Sequence, residues 1–257
     1  MPFPNFAGKH AYDAFFTPHD FFAYLRRMGR MPDGVVPEGV IFCYQNAVMR
    51  HVLETEEVEH VPLFAAGGFH LLRETQGRVA VCGGFGIGAP AVATILEQFV
   101  ALGTRRFVSI GTAGGLQKTC RIGDLIVCDA AVRDEGVSHH YLEAAEYAHP
   151  SAALTDALRR TLEDMGAPHV VGPSWTIDTP FRETVEEARH YQARGIMTVE
   201  MEAAALFAVA RFRQVDLAAS FVVSDSLAEL VWEPQFDSEL TSAGLQTLYR
   251  AARATLA

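Results

Sequence analysis

Apolar residues along this chain gather in short runs punctuated by glycine, and those runs alternate with stretches of helical period. Gly39 to Tyr44, Arg78 to Cys82, Arg106 to Ile110, Asp124 to Val132, His169 to Gly172 and Leu217 to Val223 read as strands. The last is rich in small and β-branched residues and too short for an ordinary helix, as expected of a buried parallel strand. Helical spacing marks Ala89 to Leu102, opened by Ala89-Pro90, and Ser151 to Met165, with Leu154, Ala157, Leu158 and Leu162 on one face. It also marks Ala203 to Ala210, and Ser238 to Leu256 with Leu240, Leu245, Leu248 and Ala252 aligned. Gln76-Gly77 predicts a hairpin turn between two apolar runs, and Ser109 to Gly115 reads as a strand passing into a glycine turn. At 257 residues, one α/β domain is the plain expectation.

Residues 1–38 look different. Prolines 2, 4, 18, 32 and 37 punctuate an aromatic-rich arm, and Thr17-Pro18-His19-Asp20 can start a helix through Phe21, Phe22, Leu25 and Met28. Its apolar face needs a docking surface, on its own domain or on a second subunit. Residues 39–257 are the expected catalytic domain.

Composition narrows the class. A formal charge of −10 argues against a general nucleic-acid binder, which needs a basic face. Cys43, Cys82, Cys120 and Cys128 form no C-x-x-C pair, so buried thiols in a reducing cytoplasm are expected. No apolar run is long enough to span a membrane, and the N-terminus lacks a signal-peptide pattern. His139-His140 has no third ligand at regular spacing, so no metal is expected.

Candidate chemistry concentrates in Thr198 to Ser226. Glu200 and Glu202 lie two apart, so in extended chain they point to one side, and two ionised carboxylates suit the two hydroxyls of a ribose. Capping the following helix is the alternative use. Ser224-Asp225-Ser226 ends an apolar run at the edge where open α/β sheets bind ligands, so Asp225 is placed to act as an acid or to cap the segment. Backbone amides around Gly111 and the Thr112 hydroxyl can hold phosphate or ribose oxygens.

Val199-Glu200-Met201-Glu202-Ala203-Ala204-Ala205 resembles the ribose-binding signature of the nucleoside phosphorylase-I family, which holds purine nucleoside phosphorylases, uridine phosphorylases and related nucleosidases. Ser224-Asp225 is similar to the Ser-Asp pair of its purine-acting and hydrolytic members. Ser109-Ile110-Gly111-Thr112-Ala113-Gly114-Gly115-Leu116, followed by Ile122-Gly123-Asp124, is a third match. The resemblance implies a single three-layer α/β/α domain with a central mixed sheet. It implies a nucleoside phosphorylase that releases free base and (deoxy)ribose-1-phosphate, with inorganic phosphate as co-substrate and no cofactor. Met201 would lie beneath the sugar, and Asp225 would serve N7 of a leaving purine. Phe181, with Arg182 or Thr184, falls where the family holds the base. His19 or His10 would reach a neighbour's ribose, and Arg73 a neighbour's phosphate, in a homo-oligomer.

Departures from the family pattern keep a second mechanism open. Ala47 and Ser109 stand where phosphorylases carry phosphate arginines; Arg50 is the available substitute for the first. The glutamate with which nucleosidases activate water, expected near Ala47 and Val48, is also missing. A phosphate-independent nucleosidase and a non-catalytic nucleoside binder are the alternatives. The base is open too. Asp225 points to a purine, whereas Val79 to Pro90 and Arg133 to Tyr141 look more like uridine phosphorylases.

Overall fold

The computed structural model describes residues 4–6, 8–31, 36–62 and 67–257, so Met1 to Phe3 and Pro32 of the N-terminal arm lie outside the described residues. In chain order the elements are α1 (Pro18–Arg27), β1 (Gly39–Cys43), α2 (Asn46–Thr55), β2 (Val58–Val61), β3 (Phe69–Leu72), β4 (Val79–Cys82), α3 (Ala89–Leu102), β5 (Arg106–Gly115), β6 (Leu125–Asp134) and α4 (Ser138–Tyr141). There follow β7 (Tyr147–Ala148), α5 (Ala152–Asp164), β8 (His169–Ile177), α6 (Val185–Ala193), β9 (Thr198–Glu200), α7 (Ala203–Arg213), β10 (Asp216–Ser226), β11 (Glu233–Pro234) and α8 (Glu239–Leu256).

The sheet is mixed, as expected. β1 runs parallel to β4 and β5, β5 parallel to β10, and β8 parallel to both β6 and β9. β3 against β4, β5 against β9 and β6 against β10 are antiparallel. Because β10 pairs with both β5 and β6, the pairings β5–β9–β8–β6–β10–β5 close into a ring, a feature the period of the sequence does not announce.

Alternation along β1 shows how the layers form. Val40 and Phe42 enter a core with Phe22 and Leu25 of α1, Val92 and Phe99 of α3, and Leu206 and Phe207 of α7. Ile41 and Cys43 face the other way, toward Val48 and Val52 of α2, Leu158 and Leu162 of α5, and Leu245 and Leu248 of α8. The sheet therefore separates two helical layers. The arm's helix starts where its sequence says: Thr17 accepts from the Asp20 amide while the Asp20 carboxylate takes the Thr17 amide. It docks on its own domain through Phe22 and Leu25, leaving Phe15, Phe16, Tyr24 and Met28 exposed.

Three boundaries differ from the sequence reading. Gly111 to Gly115 is not a glycine turn; β5 continues to Gly115 because β10 pairs with it along its whole length, to Ser226 opposite Gly115. β8 runs on to Ile177 beside β6, where Gly172 had looked like its end. Leu240 is exposed, so the inward face of α8 begins with Thr241 and Gly244. All four cysteines are buried and unbridged.

Candidate active site

The C-terminal ends of β1, β5, β9 and β10 open on one cavity of about 690 Å³. Thr112, Ala113 and Gly114 come from β5, Val199 and Glu200 from β9, and Ser224 and Asp225 from β10. Met201, Glu202, Tyr44, Gln45, Ile87, Phe181, Glu183, Trp232 and Phe236 complete most of the wall.

Glu200 and Glu202 share this wall, but their oxygens are engaged differently. Glu200 Oε2 accepts the backbone N–H of Glu202 at 2.7 Å and of Ala203 at 2.8 Å, at the start of α7. Its Oε1 accepts the Thr176 hydroxyl at 2.5 Å. Glu200 is thus a helix-capping group whose lone pairs are largely taken, which is the structural use left open by the sequence. Glu202 Oε1 accepts the Gly88 amide at 2.5 Å, and the Met201 backbone N–H also acts on the Glu202 carboxylate. Burial and the neighbouring Glu200 both push the Glu202 carboxyl well above the usual carboxylate range.

Asp225 owes its position to an irregularity in β10, whose register against β5 shifts between Val223 and Asp225. Its Oδ1 accepts the Ser224 hydroxyl at 2.8 Å and its Oδ2 the Trp232 indole N–H at 3.0 Å. Burial raises its pKa, and these two hydrogen bonds partly oppose the rise. Trp232 gets there because β11 folds back antiparallel on the end of β10.

The opposite wall is neutral. The Gln45 amide donates to the Thr112 hydroxyl at 3.0 Å, and the Tyr44 hydroxyl bonds Ser109 at 2.9 Å. Tyr44 and Gln45 therefore occupy space near the position of one missing arginine. Gln45 Oε1 is buried without a partner among the described residues. Burial and the Glu202 charge hold Tyr44 protonated.

Of the residues singled out from sequence, Thr112, Phe181, Glu200, Met201, Glu202, Ser224 and Asp225 line the cavity. Gly111 does not; it packs beneath the Tyr44 ring, where a Cβ would stand 3.1 Å from Tyr44 Cδ2. Arg50, Arg182 and His19 are exposed and outside the lining. Arg73 is exposed and pairs with Glu59 at 3.1 Å. His10 stands 3.6 Å from Glu143. Glu183, Gln45, Tyr44 and Phe236 were missed by sequence reasoning. Glu183 had a signal there, as a carboxylate two residues after the Phe181 assigned to the base, and Phe236 falls in the Leu227 to Asp237 loop that follows Asp225 and reads as a lid beside the site.

The profile of the phosphorylase superfamily matches residues 43–256. A guanosine phosphorylase from Halorubrum lacusprofundi is 33% identical over 175 residues, covering 66% of this chain and 71% of the relative. A uridine phosphorylase from Salmonella typhimurium is 32% identical over 150 residues, covering 52% of this chain and 58% of the relative, so the match spans little more than half of that enzyme. The crystal structure of a purine nucleoside phosphorylase from Toxoplasma gondii superposes with a TM-score of 0.75 at 18% identity, over 86% of this chain and 91% of that one, a likeness of fold. With the sequence signatures, the mixed sheet and the profile match in agreement, the chain belongs to the phosphorylase superfamily.

Proposed function

We propose that this chain cleaves the N-glycosidic bond of a nucleoside, with phosphate as nucleophile, giving free base and a pentose 1-phosphate. The observation that carries the reading is one cavity holding the buried carboxyls of Glu202 and Asp225 together. Glu202 would accept from ribose hydroxyls with Met201 beneath the sugar, while Glu200 holds the start of α7. Asp225, whose pKa burial raises, would donate to N7 of a leaving purine. Phe181 would stack on the base. As the bond breaks, positive charge grows on the ribose, and a wall rich in carboxylates stabilises it. The guanosine and uridine phosphorylases among its relatives make both purine nucleosides and uridine the substrates to try first.

Hydrolysis is the second reading, and two observations favour it. Four lining residues carry carboxylates, and no described lining residue is lysine, arginine or histidine. A phosphate dianion entering this wall meets like charge unless a cation arrives from another chain. Gln45 Oε1, buried and unpartnered among the described residues, can accept a hydrogen bond from a water nucleophile. Thr112 would then position whichever nucleophile is used. We place the enzyme in the reducing cytoplasm, on account of its four buried free thiols, and infer a homo-oligomer in which Arg73 or His19 reaches a neighbouring cavity.

Assaying guanosine, inosine, adenosine and uridine with and without phosphate tests the reading. Phosphate-dependent release of base with pentose 1-phosphate is expected. Phosphate-independent release of free ribose replaces phosphorolysis with hydrolysis. Binding without turnover of any nucleoside overturns catalysis altogether.

A further inference from the structure

Away from the cavity, the hairpin of β2 and β3 carries two histidines face to face. His60 on β2 and His70 on β3 are register partners. Directly opposite side chains of an antiparallel pair leave the same face of the sheet, with Cβ atoms about 4.5–5.5 Å apart. The two imidazole rings stand 5.1 Å apart, centre to centre, with 55° between their planes. Spacing along the chain hides this pair, because the register of the hairpin is what brings the rings together. β2 ends the sheet on this side, and neither histidine lines the cavity.

Three features separate the pair from two ordinary surface histidines. His70 Nδ1 is buried and has no hydrogen-bond partner among the described residues. A buried polar atom without a partner costs free energy, and an ion or water against it removes that cost. Gly68, two residues before His70, makes room for the other ring: a Cβ there would overlap His60 Nε2. Burial and the facing His60 also push the His70 pKa down, so at neutral pH that ring is uncharged and one of its nitrogens offers a lone pair.

We propose that His60 and His70 chelate one divalent cation of the zinc, nickel and copper class, with His70 Nδ1 as one of the donors. The separation fits. Two imidazoles bound head-on to one zinc at about 2.0–2.1 Å and a tetrahedral angle have ring centres about 5 Å apart. Imidazole suits these metals, whereas magnesium and calcium take oxygen ligands. The carboxylate beside His60, Glu59, leaves the opposite face of β2 and pairs with Arg73. Two protein donors leave the remaining positions to water, so the site is open and exchangeable, unlike a four-ligand structural zinc site. His60 is exposed, so its ring can turn onto the cation without moving the strand. Once bound, the cation ties the edge strand β2 to β3 through side chains as well as backbone, and local opening of the hairpin slows.

The test titrates the full chain, free of any affinity tag, with zinc and with nickel by calorimetry, beside His60→Ala and His70→Ala. Melting temperature without metal checks folding. Wild type should bind one more cation per chain than either variant. Losing a ligand should weaken this site by more than the about 10–100-fold that losing a supporting group costs. Magnesium in excess should not compete. Zinc should also slow deuterium exchange of the β2 and β3 amides in wild type and leave them unchanged in His60→Ala. Because His60 is exposed, that variant separates loss of the cation from loss of the hairpin even if His70→Ala melts low. A wild type that binds neither metal overturns the proposal. So do isotherms of His60→Ala that match wild type, or zinc protection of the hairpin that survives in that variant.

Discussion

Replacing Glu200 by alanine removes the acceptor for the Glu202 and Ala203 amides, two buried donors at the mouth of α7. Unsatisfied donors of this kind cost about 1–3 kcal/mol each, and lost helix caps about 0.5–2, so Glu200→Ala should lose about 2–4 kcal/mol by urea denaturation. Glu202→Gln should behave oppositely. Glutamine keeps an oxygen for the Gly88 amide but cannot ionise, so above the raised pKa, where the wild-type carboxylate is charged, kcat/KM on the proposed nucleoside substrates should drop about 100-fold. Its stability difference should depend on pH with a definite sign. The Glu202 carboxyl is raised in the fold, so between the unfolded value, about 4.3, and its folded value the native state holds the extra proton. Stability then declines as pH climbs through that window. Removing the group relieves the penalty, so melting of Glu202→Gln relative to wild type should improve from pH 5 to pH 8. A relative melting temperature that worsens with pH would mean that Glu202 is held as a satisfied anion. Spacing revealed that these two carboxylates share a wall. It did not reveal which one caps α7, because that depends on Thr176 and Gly88, residues 24 and 114 positions away.

Gly88 shows how loops tie elements to the site. It has φ 98° and ψ 152°, a conformation essentially reserved for glycine, and it turns the chain from β4 into α3 with its amide aimed at Glu202. Gly88→Ala should cost about 1–3 kcal/mol and move that amide, so activity should fall with stability; a variant with wild-type melting and kinetics would show that the loop tolerates another conformation. Local elements such as this were readable. Pro90 after Gly88 marked the start of α3, Thr17-Pro18 marked α1, and Ser238 caps α8 as its position suggested. The glycines of β5 misled because turns and close packing use the same residue. At Gly114 a Cβ would stand 2.6 Å from Leu227 Cδ1 and 3.1 Å from Asp225 Oδ2, so the glycine is there to admit the site, inside an unbroken strand. β9, three residues long, has too little sequence to carry a period of its own.

At the scale of the whole molecule, the ring of pairings brings three distant stretches, Thr112, Glu200 and Asp225, to one end of the sheet; a β-strand's period is blind to such closure. The same scale decides the nucleophile. Within one chain the cavity has acids and no cation among its described residues, while Arg73 stands exposed on the outside, beside Glu59. Exposed Phe15, Phe16 and Tyr12 in the arm, and Phe181 at 99% exposure in the cavity wall, add apolar surface of the kind that association covers. If phosphate is the nucleophile, assembly should supply its cation, and mixing inactive variants tests this directly. Arg73→Ala and Glu202→Gln should each be nearly inactive alone with phosphate. Unfolded, mixed equally and refolded as dimers, half of the assemblies carry one chain of each. If Arg73 crosses, each of those has one site with both residues intact and one with neither, restoring roughly a quarter of wild-type activity. If Arg73 serves its own chain, every mixed site lacks one residue and mixing restores nothing. Sedimentation of a fully active monomer at micromolar concentration would remove the shared site outright, and with it the route by which this acidic cavity could hold phosphate.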